Sequence, residues 1–363
     1  MRLKVLLSLM LSALTFVPAG RAQVKAPAGQ TSAPTTASGI GLAVGTNAPS
    51  FSLRDQSGRV QTSAALKGPK GTVLLFFRSA DWCPYCKAQL MDLQKARARF
   101  EQQGLKLAAI SYDTIEILKV FSDRRQIEFP MLADPDSQVI RAYGVLNSEA
   151  TGRDQGMSLP GYFFIDASGV IREKFFEARE KYQERYSANN LIAKLFPELA
   201  AQVSQNVAAP HIQLAVAQSD RTGAPGNRIS LSAEVKLPAG VHVYAPGAEG
   251  YRITELRLQP SPDFALASSA YPKSKSLYLA AIKETVPVYE GSFQITQDVA
   301  LSFSPAFMAS LGADGKTVEI SGEFRYQACD ARICYLPESV PVKWQVQVMP
   351  LDRQRAPDAI QHK

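Results

Sequence analysis

The residues with the most distinctive chemistry are two pairs of cysteines. The chain has 363 residues and four cysteines. Cys83 and Cys86 stand in the sequence WCPYC with two residues between them, and Cys329 and Cys334 have four residues between them. Each spacing permits a local disulfide, and a disulfide that opens and closes can pass two electrons to or from other thiols. Dithiol–disulfide exchange is therefore the first chemistry to consider.

The first pair follows a predicted strand and begins a predicted helix. The continuous apolar run at residues 72–77 predicts a strand buried on both faces, and residues 84 to about 103 predict a helix. The free N–H groups and the dipole at a helix N-terminus stabilise a thiolate, and Pro84 suits the first helical turn. We therefore expect Cys83, nearer the exposed end, to attack and Cys86 to resolve the mixed disulfide.

An inert local disulfide remains the alternative for this pair. A metal site is not predicted, because the next cysteine is Cys329 and no histidine precedes His211. No cofactor is predicted either. Close to the motif, Arg78 either favours the thiolate or lies at the surface, and Asp81 is expected to be solvated.

The second pair lies between two segments that alternate apolar and polar residues. The alternation at 318–326 and 342–348 predicts strands, so that Cys329 and Cys334 would lie on a β-hairpin at the edge of a sheet. A disulfide there requires a turn that brings the two Cα atoms within about 7 Å. The residues alone leave a structural staple and a redox pair as alternatives.

The elements that position these cysteines predict two domains. Strands and helices alternate over residues 46–200, which predicts an α/β domain, whereas period-two alternation without long helical patterns predicts a β-sandwich over 208–350. Residues 353–363 form a polar tail that is expected to be disordered. The predicted elements after the first motif are a buried strand at 107–112, a helix at 114–125 with Asp113 or Thr114 as N-cap, and a hairpin at 161–175.

The N-terminus has the features of an export signal. Two basic residues precede an apolar run at 5–17 that is too short to span a bilayer, and small residues follow as far as Ala22. We predict a cleaved signal peptide at 1–22, with a non-cleaved anchor as the alternative. Residues 23–45, rich in Ala, Pro, Ser, Thr and Gly, predict a flexible linker. The expected location is the periplasm.

The positive charge of the chain does not predict a nucleic-acid partner. The formal net charge is +7, but the first 45 residues hold four basic and no acidic residues, and residues 201–363 hold 15 of each. A protein that follows a phosphate backbone concentrates basic residues on one face. The excess here belongs largely to the predicted export signal and linker.

Residues 46–180 resemble the thioredoxin-fold domain of the alkyl hydroperoxide reductase/thiol-specific antioxidant family, which is peroxiredoxin-like (redoxin). The resemblance rests on GTNAPSFSLRDQSGR, VLLFFRSADWCPYCKAQLMDLQ and SLPGYFFIDASGVI. The tetrapeptide CPYC, which Trp82 precedes and which contains Tyr85, is also that of glutaredoxins. The resemblance implies that Pro160 supplies a cis-proline loop facing the two sulfurs, with an ordinary trans turn as the alternative.

The chain departs from this family at two points. Peroxidatic sites carry the pattern Pro-x-x-x-Thr/Ser-x-x-Cys, but the corresponding positions before Cys83 are Phe76 and Ala80, and those before Cys86 do not match either. Thioredoxins also bury an acid in the strand that leads to the CxxC motif, and the strand here ends in FFR. Disulfide exchange is therefore favoured over peroxide reduction.

The second half resembles the periplasmic N-terminal domain of the transmembrane thiol–disulfide interchange reductase DsbD. The resemblance rests on FRYQACDARICYLPESVPVKW, with VHVYAPG and VYEGSF upstream, and covers residues 208–350. It implies an immunoglobulin-like sandwich in which Cys329 and Cys334 form a redox pair, with Cys334 as the attacking thiol. Three tyrosines would shield this pair or lie in the ordinary core: Tyr244, Tyr326 and Tyr335.

Together these features predict an exported thiol–disulfide oxidoreductase. Four cysteines allow three pairings, and the local pairs are preferred because long loops cost more entropy to close. The expected partners are periplasmic thiol and disulfide proteins and an upstream membrane or soluble electron donor, with direct relay between the two pairs as a further hypothesis. The alternatives are a thiol-dependent peroxidase with an antioxidant role and a non-catalytic binding protein with two structural disulfides.

Overall fold

A computed structural model describes residues 39–199, 203–279 and 283–363. The predicted signal peptide and most of the predicted linker lie outside these residues. Within the described part of the chain, no helix is both long and apolar enough to cross a membrane. The described residues form an α/β domain followed by a β-sandwich, which confirms the fold class predicted from the sequence.

The α/β domain is built on one seven-stranded sheet with helices against it. Its strands are β1 (Ser52–Asp55), β2 (Val60–Thr62), β3 (Gly71–Phe76), β4 (Leu105–Ser111), β5 (Met131–Ala133), β6 (Gly161–Asp166) and β7 (Ile171–Phe176). Its helices are α1 (Pro84–Gln102), α2 (Ile115–Arg125), α3 (Gln138–Ala142) and α4 (Ala188–Leu195). The strand order is β2-β1-β5-β4-β3-β6-β7, with β3 parallel to β4 and antiparallel to β6.

The centre of this sheet is buried on both faces, as the apolar run predicts. All six residues of β3 are buried. Val73 and Leu75 pack into the apolar cluster on one side of the sheet, and Leu74 and Phe76 pack into the cluster on the other. Because β3 lies between β4 and β6, its backbone is also hydrogen-bonded along both edges. This rigid strand leads directly to the first cysteine pair.

The α/β domain begins earlier than the sequence predicts. Residues 39–45 were expected to belong to a flexible linker, yet they lie against the domain. The Gly41 N–H donates to the Gly144 carbonyl at 3.2 Å, and Leu42 packs against the apolar core. A main-chain hydrogen bond and an apolar contact are enough to order a short segment that composition alone assigns to the linker.

The second domain is an immunoglobulin-like β-sandwich. The elements from residue 185 onward, apart from α4, are β8 (Arg185–Tyr186), β9 (Val203–Val207), β10 (Gln213–Gln218), β11 (Thr222–Gly223), β12 (Asn227–Lys236), β13 (His242–Tyr244), β14 (Glu255–Leu258), β15 (Phe264–Ala270), β16 (Lys275–Leu279), β17 (Glu284–Glu290), β18 (Ser292–Leu301), α5 (Pro305–Ser310), β19 (Lys316–Tyr326), β20 (Ala328–Cys329) and β21 (Glu338–Val348). The sheets of the sandwich have the strand orders β15-β18-β12-β10-β9, β11-β21-β19-β14 and β16-β17-β13-β20. Because β9 pairs with β10, the sandwich starts at residue 203, before the predicted boundary at 208.

The two domains are joined by main-chain pairing and by largely buried ion pairs. The short strand β8 pairs in parallel with the beginning of β12. Arg228 of β12 binds Glu184 at 2.8 Å, and Lys194 of α4 binds Asp298 of β18 at 2.7 Å. Buried charges are tolerated only when they are paired and hydrogen-bonded, so these contacts define one arrangement of the two domains.

The tail from residue 353, expected to be disordered, instead returns to the α/β domain. We refer to residues 350–363 as the C-terminal segment. Asp352 accepts a hydrogen bond at 3.1 Å from Arg124, which lies 228 residues earlier in the chain. Ala356 is buried in the same apolar cluster as the first cysteine pair. The order of this polar segment could not be predicted from its composition, because its partners come from distant parts of the chain.

A pair of carboxyl groups lies where α4 meets the sandwich. Asp92 accepts a hydrogen bond from the Ala188 N–H at 2.7 Å, and the buried Asp220 accepts from the Ser187 hydroxyl at 2.7 Å and the Asn189 amide at 2.9 Å. Burial, and then the neighbouring charge of Asp220, raise the pKa of Asp92 to about 7. Burial also raises the pKa of Asp220.

We predict that Asp92→Asn makes the stability of the protein less dependent on pH. Because the pKa of Asp92 is raised on folding from an unfolded value of about 3.9, its contribution to stability is complete below about pH 4 and is lost as the pH rises through about 7. Asparagine stays neutral over this range, so the free energy of unfolding in urea should fall less between pH 5 and pH 8. The exposed Asp123→Asn serves as control, and an unchanged slope for Asp92→Asn would contradict the prediction.

Candidate active site

The first cysteine pair forms a disulfide at the N-terminus of α1. Cys83 and Cys86 have Cα atoms 5.3 Å apart. Cys83 is the N-cap of α1, and its sulfur accepts the Cys86 N–H at 3.2 Å, with Pro84 in the first turn. When the disulfide is open, these free N–H groups and the helix dipole favour a thiolate on Cys83. The structure thus places both cysteines where the sequence predicts them.

Both sulfurs are less accessible than the sequence suggests. Cys83, expected near the exposed end of the motif, is only 1% exposed, and Cys86 is fully buried. The side chain between them contacts the second domain, because the Tyr85 hydroxyl lies 3.9 Å from the Met308 sulfur of α5. The sandwich and the C-terminal segment both contact this motif. These contacts depend on tertiary structure and cannot be predicted from the local sequence.

Arg78 and Trp82 form a stacked group beside the motif. The Arg78 guanidinium lies 4.6 Å from the Trp82 ring and 4.8 Å from the Tyr182 ring, and burial lowers its pKa. The Trp82 indole N–H donates to the Tyr112 hydroxyl at 2.9 Å. Arg78 is therefore held by aromatic rings rather than left in solvent, and the ring of Trp82 is fixed immediately before Cys83.

Asp81, expected to be solvated, is fully buried. Its carboxylate accepts hydrogen bonds from the Arg355 guanidinium, with one N–O distance of 3.1 Å, and from the backbone N–H groups of Ala356 at 3.0 Å and His362 at 3.3 Å. Burial by itself raises the pKa of Asp81, but these hydrogen bonds, led by Arg355, hold it below its usual range. The sequence did not predict the burial of Asp81, because the hydrogen-bond partners of its carboxylate lie more than 270 positions away in the chain.

Asp113, for which the sequence predicts a role as N-cap of α2, is instead a buried residue of this site. The cap of α2 is Thr114 instead. Asp113 accepts hydrogen bonds from the Ser79 hydroxyl at 2.7 Å and the Ala80 N–H at 2.7 Å, and it lies 2.7 Å from Nε2 of His362. The available signal was its position just after β4, because parallel strands such as β3 and β4 end at the same edge of a sheet.

Pro160 lies near the motif but does not form a cis-proline loop. No peptide bond in the described residues is cis, so the Leu159–Pro160 bond is trans. The Leu159 N–H donates to the Val145 carbonyl at 2.7 Å, and the Ser158 hydroxyl donates to the Phe77 carbonyl at 3.0 Å. These bonds hold the segment extended as it enters β6, which is the conformation that a residue before proline prefers.

The second pair lies on an edge strand, as predicted. Cys329 of β20 and Cys334 form a disulfide with Cα atoms 4.0 Å apart, and β20 pairs with β13 as the last strand of its sheet. The Tyr244 hydroxyl lies 3.4 Å from the Cys334 sulfur and 3.5 Å from the Cys329 sulfur. His242, which is buried, pairs with Cys329 across the two strands. Tyr244 is thus the tyrosine that shields both sulfurs.

The other two tyrosines predicted near this pair have different partners. Tyr326 donates to the Pro210 carbonyl at 2.6 Å, and Tyr335 donates to the Asp330 carboxylate at 2.9 Å and stacks on the ring of His211. Tyr326 therefore belongs to the sandwich core, whereas Tyr335 orders the loop that carries Cys334. Within the described residues, no group of His, Cys, Asp and Glu side chains is arranged to hold a metal ion.

Each domain matches a known family. Residues 44–174 match the AhpC/TSA family, and residues 213–344 match the N-terminal domain of the thiol:disulfide interchange protein DsbD. Alkyl hydroperoxide reductase E of Mycobacterium tuberculosis is 35% identical over 133 residues, which are 36% of this chain and 83% of that protein. The chain belongs to the AhpC/TSA family.

Further relatives of the AhpC/TSA domain are named for different thiol reactions. A putative peroxiredoxin bcp of Haemophilus influenzae is 29% identical over 148 residues, covering 39% of this chain and 92% of that protein. The thiol-disulfide oxidoreductase ResA of Geobacillus thermodenitrificans is 29% identical over 133 residues, covering 36% and 68%. The crystal structure of a peroxidoxin, BcpB of Mycobacterium tuberculosis, aligns with a TM-score of 0.36 at 20% identity over 44% of this chain and 95% of that one. As a member of the AhpC/TSA family, the chain is a thiol oxidoreductase.

The structure does not bring the two disulfides together. The AhpC/TSA domain meets β12 at its first residues, and Gly226 is so close to Tyr85 that a Cβ there would lie 3.4 Å from the ring. Cys329 lies near the other end of β12, because it pairs with His242, which pairs with Glu290 at the end of β17. The next strand, β18, begins at Ser292, which pairs with Lys236, the last residue of β12. The ten residues of β12 cover about 30 Å. Direct relay between the pairs is therefore not supported in this arrangement.

We predict that Tyr244→Phe lowers the reactivity of the reduced Cys329–Cys334 pair. Burial raises the pKa of Tyr244, so its hydroxyl remains a donor that stabilises a thiolate at either sulfur. Loss of a hydrogen bond to a charged group costs about 1.5 kcal/mol, which should slow alkylation by iodoacetamide at pH 7 by about tenfold. Tyr326→Phe is the matched control, because its hydroxyl binds a backbone carbonyl. Equal rates for the two variants would contradict the role of Tyr244.

Proposed function

We propose that this protein is an exported thiol–disulfide oxidoreductase whose Cys83–Cys86 dithiol exchanges electrons with disulfides of partner proteins. The proposal rests on the position of Cys83 as N-cap of α1, the helix that follows the fully buried strand β3, with the Cys86 N–H donating to its sulfur. A helix N-terminus on a rigid sheet favours a thiolate at a fixed place. The similarity to the oxidoreductase ResA agrees with this chemistry.

The exchange proceeds in two balanced steps. The Cys83 thiolate attacks one sulfur of the partner's disulfide, so that an S–S bond to Cys83 forms and the partner's other sulfur leaves as a thiolate. The Cys86 thiolate then attacks the Cys83 sulfur, which forms the internal disulfide and releases the second thiolate of the partner. The partner gains two electrons and takes up two protons, while the Cys83–Cys86 dithiol is oxidised.

We propose that the Cys329–Cys334 pair exchanges electrons with a separate thiol partner, such as a thioredoxin-fold protein or an upstream electron donor. The distance along β12 argues against direct transfer from the first pair, and the match to the N-terminal domain of DsbD supports a redox role. Ile333 and Leu336, on the loop that carries Cys334, are 56% and 82% exposed. Exposed apolar side chains beside a disulfide are suited to contact a partner protein.

We also propose that the protein works in the periplasm. The support is the basic and apolar N-terminus, which ends in small residues and has the form of a cleaved signal peptide. Two local disulfides are compatible with an oxidising compartment. Fractionation of cells that express the full chain, with N-terminal sequencing of the product, tests the location and the cleavage after Ala22.

Redox titration of the Cys83–Cys86 pair, with and without the second pair, tests the proposed exchange. The full chain is compared with its Cys329→Ser/Cys334→Ser variant for reduction of insulin and for the potential of Cys83–Cys86. We expect the variant to retain insulin reduction. A potential of Cys83–Cys86 below about −300 mV, together with no insulin reduction, would instead identify a structural disulfide.

A second candidate function is thiol-dependent peroxide reduction. The observation that favours it is the 35% identity to alkyl hydroperoxide reductase E. Stopped-flow oxidation by hydrogen peroxide decides between the two functions. A Cys83 that reacts with peroxide no faster than a free thiol leaves disulfide exchange as the function, whereas much faster oxidation makes peroxidase activity the better description.

A further inference from the structure

Two buried carboxylates flank the CPYC motif and are paired with the C-terminal segment. Asp81 stands two residues before Cys83, and Asp113 accepts the N–H of Ala80, so both carboxylates fix the loop that leads into the motif. Each is fully buried. Arg355 and His362 of the C-terminal segment bind Asp81 and Asp113, respectively. The loop before Cys83 is thus covered by a peptide from the far end of the chain.

The C-terminal segment also contacts residues within and after the motif. The Lys87 ammonium donates to the Gln354 carbonyl at 2.7 Å, and Lys87 directly follows Cys86. The Arg353 guanidinium lies 3.8 Å from the Met308 sulfur, the same atom that contacts the Tyr85 hydroxyl. The segment therefore passes the motif on both sides of Cys83 in the sequence.

The far end of the segment is held by an aromatic contact. The ring of His362 stacks on the ring of Tyr112 with centroids 4.2 Å apart. Tyr112 in turn accepts the indole N–H of Trp82, the neighbour of Cys83. Ala356 of the segment is buried in the apolar cluster that contains both cysteines. With the segment in this position, Cys83 is only 1% exposed. A thiolate must reach a disulfide sulfur in order to attack it, so this arrangement is closed to a protein partner.

We propose that the C-terminal segment is an intramolecular pseudosubstrate, which occupies the partner-binding surface beside Cys83 and must leave before a protein disulfide can bind. This inference rests on the proposed function and names the partner for that site. The surface offers two carboxylates, the Tyr112 ring and room for a small apolar side chain. It therefore suits a partner that presents a basic segment next to its disulfide.

The test measures alkylation of Cys83 in the reduced full chain with and without release of the C-terminal segment. Arg355→Glu places a negative charge against Asp81 and should release the segment. We expect iodoacetamide to alkylate Cys83 at least tenfold faster in this variant, as followed by mass spectrometry. Lys363→Glu is the matched control, because it makes the same charge change in the same segment at an exposed residue outside the contacts described above. We expect a change of less than twofold for the control.

Cys329 serves as an internal reference for unfolding, because it is fully buried in the sandwich. Local release leaves its alkylation rate unchanged while that of Cys83 rises. If both rates rise together, or if neither rises, the segment does not act as a cover for Cys83 and the proposal is overturned. His362→Ala provides a milder release in case Arg355→Glu does not fold.

A peptide added in trans tests the chemistry of the partner. A synthetic peptide with the sequence of residues 350–363 should slow alkylation of Cys83 in the Arg355→Glu variant back toward the rate of the unmodified chain. The same peptide with glutamate in place of its second arginine should have no effect. Equal protection by both peptides, or by neither, would exclude a surface that recognises basic segments.

The alkylation rates do not depend on turnover, so they separate this proposal from the proposed function. Insulin reduction by the released variant should rise in parallel with alkylation. If insulin is not reduced by any variant but Cys83 is uncovered by Arg355→Glu, the proposed function fails while the covering role of the segment stands. If insulin is reduced equally by all variants and the alkylation rates do not differ, the proposed function stands and the pseudosubstrate fails.

Discussion

Replacing Cys83 with serine is expected to abolish reduction of protein disulfides by this protein. The Cys83 sulfur is the one that accepts a hydrogen bond at the N-terminus of α1, so the attacking thiolate is lost while Cys86 stays buried one turn further in. We expect insulin reduction to fall on the order of 10³-fold or more, because the remaining thiol of the motif, Cys86, is fully buried and is not placed to attack a partner.

The Cys86→Ser variant should stop at the intermediate instead. Cys83 can still attack, but no thiolate is present to resolve the mixed disulfide, so a covalent adduct with the partner should accumulate. Non-reducing electrophoresis and mass spectrometry of the adduct identify the sulfur involved. Attachment of the partner through Cys86 in a Cys83→Ser variant would reverse the assigned order of attack.

The matched control for both variants is the double substitution Cys329→Ser/Cys334→Ser. This change removes the other disulfide, which lies at the opposite end of β12, without touching the CPYC motif. We expect it to leave single-turnover oxidation of Cys83–Cys86 by insulin within about threefold of the unmodified chain. A loss as large as that of Cys83→Ser would mean that electrons pass from the first pair to insulin only through the second.

Asp113→Ala is expected to destabilise the protein by about 3 kcal/mol. The buried carboxylate accepts hydrogen bonds from the Ser79 and Ser111 hydroxyls and the Ala80 N–H, and it is bound to His362. Removal of one partner leaves buried polar groups without hydrogen bonds, which costs more than the net value of any single bond. The loss should be visible as a lower midpoint of urea unfolding with an unchanged slope.

The same variant should also uncover the CPYC motif. Without Asp113, His362 loses its hydrogen-bond partner and the loop from Ser79 to Asp81 loses an anchor, so alkylation of reduced Cys83 should accelerate together with the loss of stability. Asp123→Ala is the control, because Asp123 is 64% exposed and its ion pair with Lys119 lies on the surface of α2. A stability loss of less than about 1 kcal/mol for Asp113→Ala would show that the network does not hold this loop.

The local sequence was sufficient to predict the strands and the helix next to the cysteines. The apolar run of β3, the proline in the first turn of α1 and the alternation along β19 and β21 each predicted the structure that is observed. These features are decided by periodicity and by groups a few residues apart, and such interactions can be read directly from a sequence. The local pairing of the four cysteines followed from the same short distances.

The surroundings of the cysteines were not available from the sequence. Asp81 lies in a loop and Asp113 follows a strand. From the sequence alone, an acidic residue at either position is expected to be exposed to solvent. Both carboxylates can be buried because Arg355 and His362, from about 250 to 275 positions away, form hydrogen bonds with them. The tail that supplies these residues has too little apolar content to order itself, and it becomes ordered only on a surface that the α/β domain has already formed.

The sequence by itself therefore determined the chemistry and the fold class: two local cysteine pairs, one at the start of a helix and one at the edge of a sandwich. Only the tertiary structure decided how accessible Cys83 is and how far apart the two disulfides lie. It buries Cys83 in an apolar cluster that also contains Ala356 of the C-terminal segment, and it places Cys329 at the other end of β12. The physical reason is that local propensity and spacing act within a few residues, whereas burial, ion pairing and the distance between two sites depend on contacts that exist only after the whole chain has folded.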